Sequence, residues 1–129
     1  MTFKLSSTST MRLEGVNPVL IKVINRALEI TTVDFGVPKY GGLRTAEEQN
    51  ALFKDGKSQL DGYKKKSNHQ TGNAFDVFAY VDGKASWDKA HLTAVAEAIL
   101  QAADELGVKL TWGGHWKTFV DMPHFELKL

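Results

Sequence analysis

The 129 residues include four histidines, His69, His91, His115 and His124, and two of them stand in company that could do chemistry. His69 lies in Ser67-Asn68-His69-Gln70-Thr71-Gly72-Asn73-Ala74-Phe75-Asp76, a loop running into an apolar stretch with a carboxylate inside it. An aspartate among Phe75, Val77 and Phe78 is costly to bury unless it is paired or bound to a metal. His124 lies in Asp121-Met122-Pro123-His124-Phe125-Glu126, at the mouth of a final apolar-polar alternation. Two imidazoles and one carboxylate suit a catalytic zinc ion. Three protein ligands leave a fourth position for water, whose pKa falls to about 7.

A hydrolytic zinc site also needs a base that takes the water's proton without filling the open position. Asp121, three residues before His124 across a proline-containing turn, is the first candidate. Glu126 competes, because strand alternation puts it on the same face as His124. Arg44, in Gly41-Gly42-Leu43-Arg44-Thr45, is a cation at a helix entrance, suited to a substrate carboxylate or a developing oxyanion. Blander readings stand beside these: a strand histidine that is merely structural, Asp76 paired with a lysine, Asp121 as a turn residue. No His-Glu-x-x-His motif is present, so spacing alone does not choose between them.

The elements that must position these groups are legible in outline. Asn17-Pro18 reads as an N-cap with proline in the first helical turn. Leu20, Val23, Ile24, Ala27 and Leu28 then recur at helical spacing to about Ile30. Thr45-Ala46-Glu47-Glu48 reads as a capping box, opening a short helix that Gly56 closes. A third helix starts near Ser86 or Asp88, carries Leu92, Val95, Ile99 and Leu106 on one side, and stops at Gly107. Aromatic and β-branched content predicts a strand over Asn73 to Val81, with Asp82-Gly83 as its turn. Val108–Trp112 and Phe125–Leu129 are two further strands. Helices first and strands later predict an α+β domain over 1–129, a small antiparallel sheet packed with about three helices.

Composition removes several classes of function. Sixteen Lys and Arg against fifteen Asp and Glu give a formal charge of +1, so no nucleic-acid partner is implied. The run Lys64-Lys65-Lys66, beside Lys54 and Lys57, reads first as a solvated loop and second as a contact for an anionic polymer. The absence of cysteine excludes disulfides, thiolate ligands and a cysteine nucleophile. No stretch approaches the ~18 apolar residues of a membrane span. Met1 to Thr8 lacks the apolar core of a signal peptide, so synthesis in the cytoplasm without membrane insertion is expected.

At these residues the chain resembles a known family. Ser67-x-His69-x(6)-Asp76, with Asp121-x-x-His124 far downstream, is similar to the VanY-like zinc peptidases. That family includes D-alanyl-D-alanine carboxypeptidases and the L-alanyl-D-glutamate endopeptidases used as phage endolysins. Gly42-Leu43-Arg44-Thr45 with Gln49, the Trp112-Gly113-Gly114 turn and His124-Phe125-Glu126 resemble family features in the same order. Arg26-Ala27-Leu28-Glu29 resembles the phage branch. The resemblance runs from about Asn17 to Leu127, and its pieces are specific only in combination. It implies one zinc ion on His69, Asp76 and His124, with Asp121 as catalytic acid/base where many relatives have glutamate. It further implies Arg44 on the substrate carbonyl, Ser67 in the substrate-binding loop, and the small α+β fold of the D-Ala-D-Ala peptidases and the Hedgehog domain.

One departure from the pattern is His115, where relatives often carry Asp or Asn after the Trp-Gly-Gly turn. The ligand set is already full, so His115 is expected to line the cleft beside the substrate or to be solvated. His91 is expected to be structural or exposed. The phage-branch reading predicts cleavage of the L-Ala–D-Glu bond of peptidoglycan stem peptides by a monomer. Such an enzyme is made in the host cytoplasm and reaches the periplasmic wall through a holin. A D-alanyl-D-alanine carboxypeptidase is the alternative within enzymes, and a non-catalytic, zinc-stabilised wall-binding module is the alternative outside them. Structural zinc normally takes four protein ligands, and only three are offered here, which favours the enzyme.

Overall fold

A computed structural model describes residues 2–118 and 120–128. Among these residues four helices and six short strands interleave. Helix α1 (Ser7–Arg12) is followed by α2 (Pro18–Ile30), whose N-cap Asn17 accepts a hydrogen bond from the Val19 amide. Helix α3 (Ala46–Lys54) opens on a complete capping box between Thr45 and Glu48. Helix α4 (Lys89–Glu105) is capped by Asp88 rather than Ser86. At its end Gly107 adopts φ +70°, and the Val108 amide returns to the Ala103 carbonyl, which stops the helix as a glycine cap should. Leu106 falls just beyond the helix and is exposed instead of joining the apolar stripe.

The core is the seam between α2 and α4. Leu20, Val23, Ile24 and Ala27 of α2 are fully buried against Val95, Ala96, Ile99 and Ala102 of α4. The alanines let the two backbones approach, and each large side chain removed from water contributes ~1.5–3 kcal/mol. Phe75 and Phe125 stack at 5.2 Å between ring centroids and continue this core beneath the strands.

The expected strand over Asn73 to Val81 is divided. Strand β2 (Ala74–Asp76) pairs with β6 (His124–Leu127), and β6 pairs with β5 (Leu110–Trp112). Strand β3 (Phe78–Val81) instead joins β1 (Asp34–Gly36) and β4 (Lys84–Ser86) in a second antiparallel sheet. Val77 lies between them, its amide bonded to the Pro123 carbonyl, so the chain leaves one sheet and enters the other within a single residue. Asp82 and Gly83, at φ +53° and +76°, form the expected two-residue turn from β3 to β4. The last strand is described to Leu127; Leu129, within the expected Phe125–Leu129 strand, lies outside the described residues.

Candidate metal centre and cleft

The β2–β6 register sets Asp76 directly opposite His124. Cross-strand partners project from the same face, so the two side chains meet. His69 arrives from a short 3-10 helix (Asn68–Thr71) capped by Ser67, whose hydroxyl accepts from the His69 amide. Gln70 closes the cap by accepting from the Ser67 amide. Three atoms then converge: His69 Nε2 lies 3.2 Å from Asp76 Oδ1 and 3.2 Å from His124 Nδ1, and Asp76 Oδ1 lies 3.1 Å from His124 Nδ1. Bonds of ~2.0–2.1 Å at tetrahedral angles place ligand atoms ~3.3–3.4 Å apart, so this triangle fits one face of a zinc tetrahedron. Among the described residues these three form the group able to hold a metal ion.

Each imidazole has its remaining nitrogen assigned. His69 Nδ1 lies 2.9 Å from the Gly42 carbonyl, and His124 Nε2 lies 2.7 Å from Glu126 Oε1. Both partners accept, so the protons sit on those nitrogens and leave His69 Nε2 and His124 Nδ1 free to ligate. The other oxygen of Glu126 accepts from the Asn68 amide group at 2.8 Å. With both oxygens engaged, Glu126 is built as the orienting partner of His124, and the choice left open between base and support moves toward support.

The Gly41-Gly42 turn does several jobs at once. The Gly41 carbonyl accepts from the Asp76 amide at 2.7 Å, and the Arg44 amide donates to the His69 carbonyl at 3.1 Å. A Cβ on residue 42 would run into the Arg12 carbonyl, so only glycine brings this turn close enough. Arg44 itself donates from Nη2 to Asp76 Oδ2 at 3.0 Å, from Nη1 to Gln49 at 3.0 Å and from Nε to the Tyr40 carbonyl at 2.7 Å. Three of its five N–H groups are thereby used and two stay available to a ligand.

Asp121 stands at the mouth of the same cleft. Its amide donates to the Gly113 carbonyl, and its carbonyl accepts from the His124 amide. The Trp112 indole donates to the Met122 carbonyl at 2.6 Å and pins the same turn. A side chain at residue 113 would collide with the Asp121 carbonyl, which explains the glycine after Trp112. Among the described residues the Asp121 carboxylate makes no hydrogen bond. Desolvation by the cleft walls raises its pKa above the ordinary value, and the charge of Asp76 adds to this.

The charges of the centre are coupled. Burial alone would raise the Asp76 pKa, but hydrogen bonds from His124 and His69 outweigh it and hold the carboxyl far below the usual range. Burial lowers the His124 pKa, and the bonds to Asp76 and Glu126 reverse this, to about 9. A metal ion held here would take the place of a proton on the ligating nitrogen of His124.

The cleft measures about 770 Å³ and has His69, Asp76 and His124 in its floor, with Arg44, Ser67 and Asp121 around them. The structure thus gathers seven of the eight residues singled out in the sequence, Glu126 included. His115 is the one it does not place in the cleft lining. It closes a 3-10 turn (Gly113–His115), is exposed, and stands edge-on to Trp112. Its neighbour Trp116 lines the cleft instead, 5.2 Å from the His124 ring. Tyr40, Asn68 and Trp116 escaped the sequence reading, and only the aromatic pair around Gly113-Gly114-His115 offered a signal. His91 bonds Ser86 at 2.7 Å, as a structural histidine would.

Comparison with known proteins agrees with this geometry. The family model of the phage L-alanyl-D-glutamate peptidases matches residues 1–127. An L-alanyl-D-glutamate peptidase of Escherichia phage T5 is 39% identical, over 99% of this chain and 91% of the relative. The crystal structure of the Serratia marcescens L-Ala D-Glu endopeptidase ChiX superposes with a TM-score of 0.85 at 38% identity, covering 97% of this chain and 90% of that one. DacB from Streptococcus pneumoniae D39 shares the fold alone, at TM-score 0.52 and 24% identity over 91% of this chain and 68% of its own. The chain belongs to the phage L-alanyl-D-glutamate peptidase family, as a peptidase of the endolysin type.

Proposed function

We propose that this chain, acting as one domain over 1–129, is a zinc-dependent endopeptidase that hydrolyses the L-Ala–D-Glu bond of peptidoglycan stem peptides. The observation that carries this reading is the triangle of His69 Nε2, Asp76 Oδ1 and His124 Nδ1 at 3.1–3.2 Å in the floor of an open cleft. His69, Asp76 and His124 would hold the zinc ion, which would supply a Lewis acid and an acidified water near neutral pH. Asp121 takes the proton from the attacking water and returns it to the leaving amine, a shuttle favoured by its raised pKa. The two free N–H groups of Arg44 hold the substrate carbonyl as negative charge develops on it. Ser67 at the start of the His69 turn, and His115 beyond the rim, would contact more distant parts of the substrate. No helix among the described residues is long and apolar enough to cross a membrane. The reading includes a monomer made in the host cytoplasm and passed by a holin to the periplasmic wall.

The test uses Gram-negative sacculi, with and without a chelator, followed by zinc, and mass spectrometry of the released fragments. Peptides beginning at D-glutamate, lost with chelator and restored by zinc, are expected. Release of terminal D-alanine alone would move the assignment to a D-alanyl-D-alanine carboxypeptidase. No zinc-dependent product from folded, zinc-loaded protein would leave a wall-binding module.

A further inference from the structure

The segment 57–66 forms one wall of the cleft, and it is fastened far more firmly than a solvated loop requires. The fully buried Gln49 donates to the Ser58 hydroxyl at 2.8 Å and to the Leu60 carbonyl at 2.9 Å. Asn50 holds the Asp61 carbonyl and Gln70 holds the Gly62 carbonyl, each at 2.9 Å. Asp61 Oδ1 accepts from three successive amides, those of Tyr63, Lys64 and Lys65. Gln49 also accepts from Arg44, which grips Asp76, so the wall is tied through two side chains to the metal centre.

What this stiff wall presents is positive charge. Lys57 and Lys66 line the cleft from it, and Lys39, from outside this segment, lines the same cleft, its ammonium 5.3 Å from the Tyr40 ring centre. Of the run Lys64-Lys65-Lys66, only Lys66 is part of the cleft lining. Among the described residues no ion pair engages any of the three lining lysines; the pairs present belong to Arg26, Arg44, His69 and His124. In the floor, Arg44 and a bound divalent ion would together balance the carboxylates of Asp76, Asp121 and Glu126. With the ion bound, the lysines would then set the sign of the cleft, and it would be positive.

We propose that Lys57 and Lys66, with Lys39 of the same cleft lining, form a carboxylate-reading subsite that selects stem peptides whose D-glutamate keeps a free α-carboxylate. The inference rests on the endopeptidase reading above. In a stem peptide, D-glutamate is joined to its successor through the γ-carboxyl, so the α-carboxyl beside the scissile bond is an anion unless it is amidated. An ammonium meeting that anion in a walled cleft makes a charge-assisted hydrogen bond, and the amide offers no charge to meet. The clamps of Gln49, Asn50 and Gln70 fix the main chain of the wall, so only the lysine side chains, and not the loop, have to be ordered on binding.

The experiment compares two soluble peptides, L-Ala-γ-D-Glu-diaminopimelate and its α-amidated counterpart, with the zinc-loaded enzyme at low ionic strength. Wild type should cleave the free acid with a kcat/KM about tenfold or more above that of the amide. Raising the salt should narrow the gap, because the charges are partly solvated. The triple variant Lys39→Gln, Lys57→Gln, Lys66→Gln should lose the preference, mainly through a higher KM for the acid. Lys66→Arg should keep it, and Lys64→Gln, outside the cleft lining, should not alter it. Equal cleavage of both peptides by wild type, or an undiminished preference in the triple variant with an unchanged melting temperature, overturns the subsite. Cleavage of neither peptide overturns the endopeptidase reading and the subsite together.

Discussion

The α2–α4 seam and the β2–β6 centre are both buried, and they are held in opposite ways. In the seam, Leu20, Ile24, Val95 and Ile99 fill space, and apolar groups of about the same volume would serve. In the centre His69 is as inaccessible as those residues, yet every buried side-chain nitrogen and oxygen among the described residues has a partner. Stability in the first region is a matter of area and cavity; in the second it depends on a network in which each member needs the next. The difference shows where the chain can absorb change.

The largest effect should follow from breaking the centre at its ligands. His69→Ala, Asp76→Ala and His124→Ala should each abolish zinc binding and sacculus hydrolysis, measured by metal content and fragment release. Retention of a full zinc equivalent in any of them would mean that the ion sits elsewhere. Next, Asp121→Ala should leave zinc content unchanged and lower kcat by ~10²–10⁴-fold, the usual contribution of a positioned acid/base. Activity near wild type would return Glu126 to consideration as the base. The seam responds in a different currency. Ile24→Ala should cost ~2–5 kcal/mol in denaturant unfolding and leave the kcat of the folded fraction unaltered. A large fall in kcat there would mean that core and centre are coupled.

Glu126→Gln sharpens the contrast within the centre. The amide keeps the shape and loses the charge that fixes the His124 tautomer, so zinc affinity should drop ~10–100-fold. Unchanged affinity by competition with a chromophoric chelator would show that the 2.7 Å contact orients nothing.

The same contrast explains what was legible in the sequence. Helices α2 and α4 announced themselves because apolar period and caps agree, at Asn17-Pro18 and Asp88. Helix α1, Ser7–Arg12, carries hydroxyls where an apolar stripe would show, and β1 and β4 have three residues each, too few for a period. The division at Val77 was invisible because Ala74 to Val81, apart from Asp76, is one apolar and aromatic run without a glycine or proline breaker. Its two halves are told apart only by their partners in β6 and β1. The ligands were readable by type, whereas the partner of His69 is the Gly42 carbonyl, and a main-chain oxygen leaves no mark in a sequence. His115 and Trp116 are neighbours in and after a 3-10 turn, so which one reaches the cleft depends on a phase that residue type does not reveal.

The smallest effect lies in the wall of the cleft, where a third kind of order holds. Asp61 is half-buried, and its pKa lies below the ordinary value because the Lys65 and Tyr63 amides donate to its carboxylate. A carboxyl with a depressed folded pKa contributes its full stabilisation above the unfolded value of about 4. That contribution is lost as the pH falls through the lower folded value. Wild type should therefore keep native amide shifts for Tyr63 to Lys65 down to about pH 4 and lose them below it. Asp61→Ala should show the loosened shifts already at neutral pH, with a melting temperature close to wild type, since the α2–α4 seam is untouched. Identical spectra for the two proteins at neutral pH would mean that the clamps from Gln49, Asn50 and Gln70 hold the wall alone. The order of 57–66 would then come from α3 and the His69 turn rather than from the loop itself.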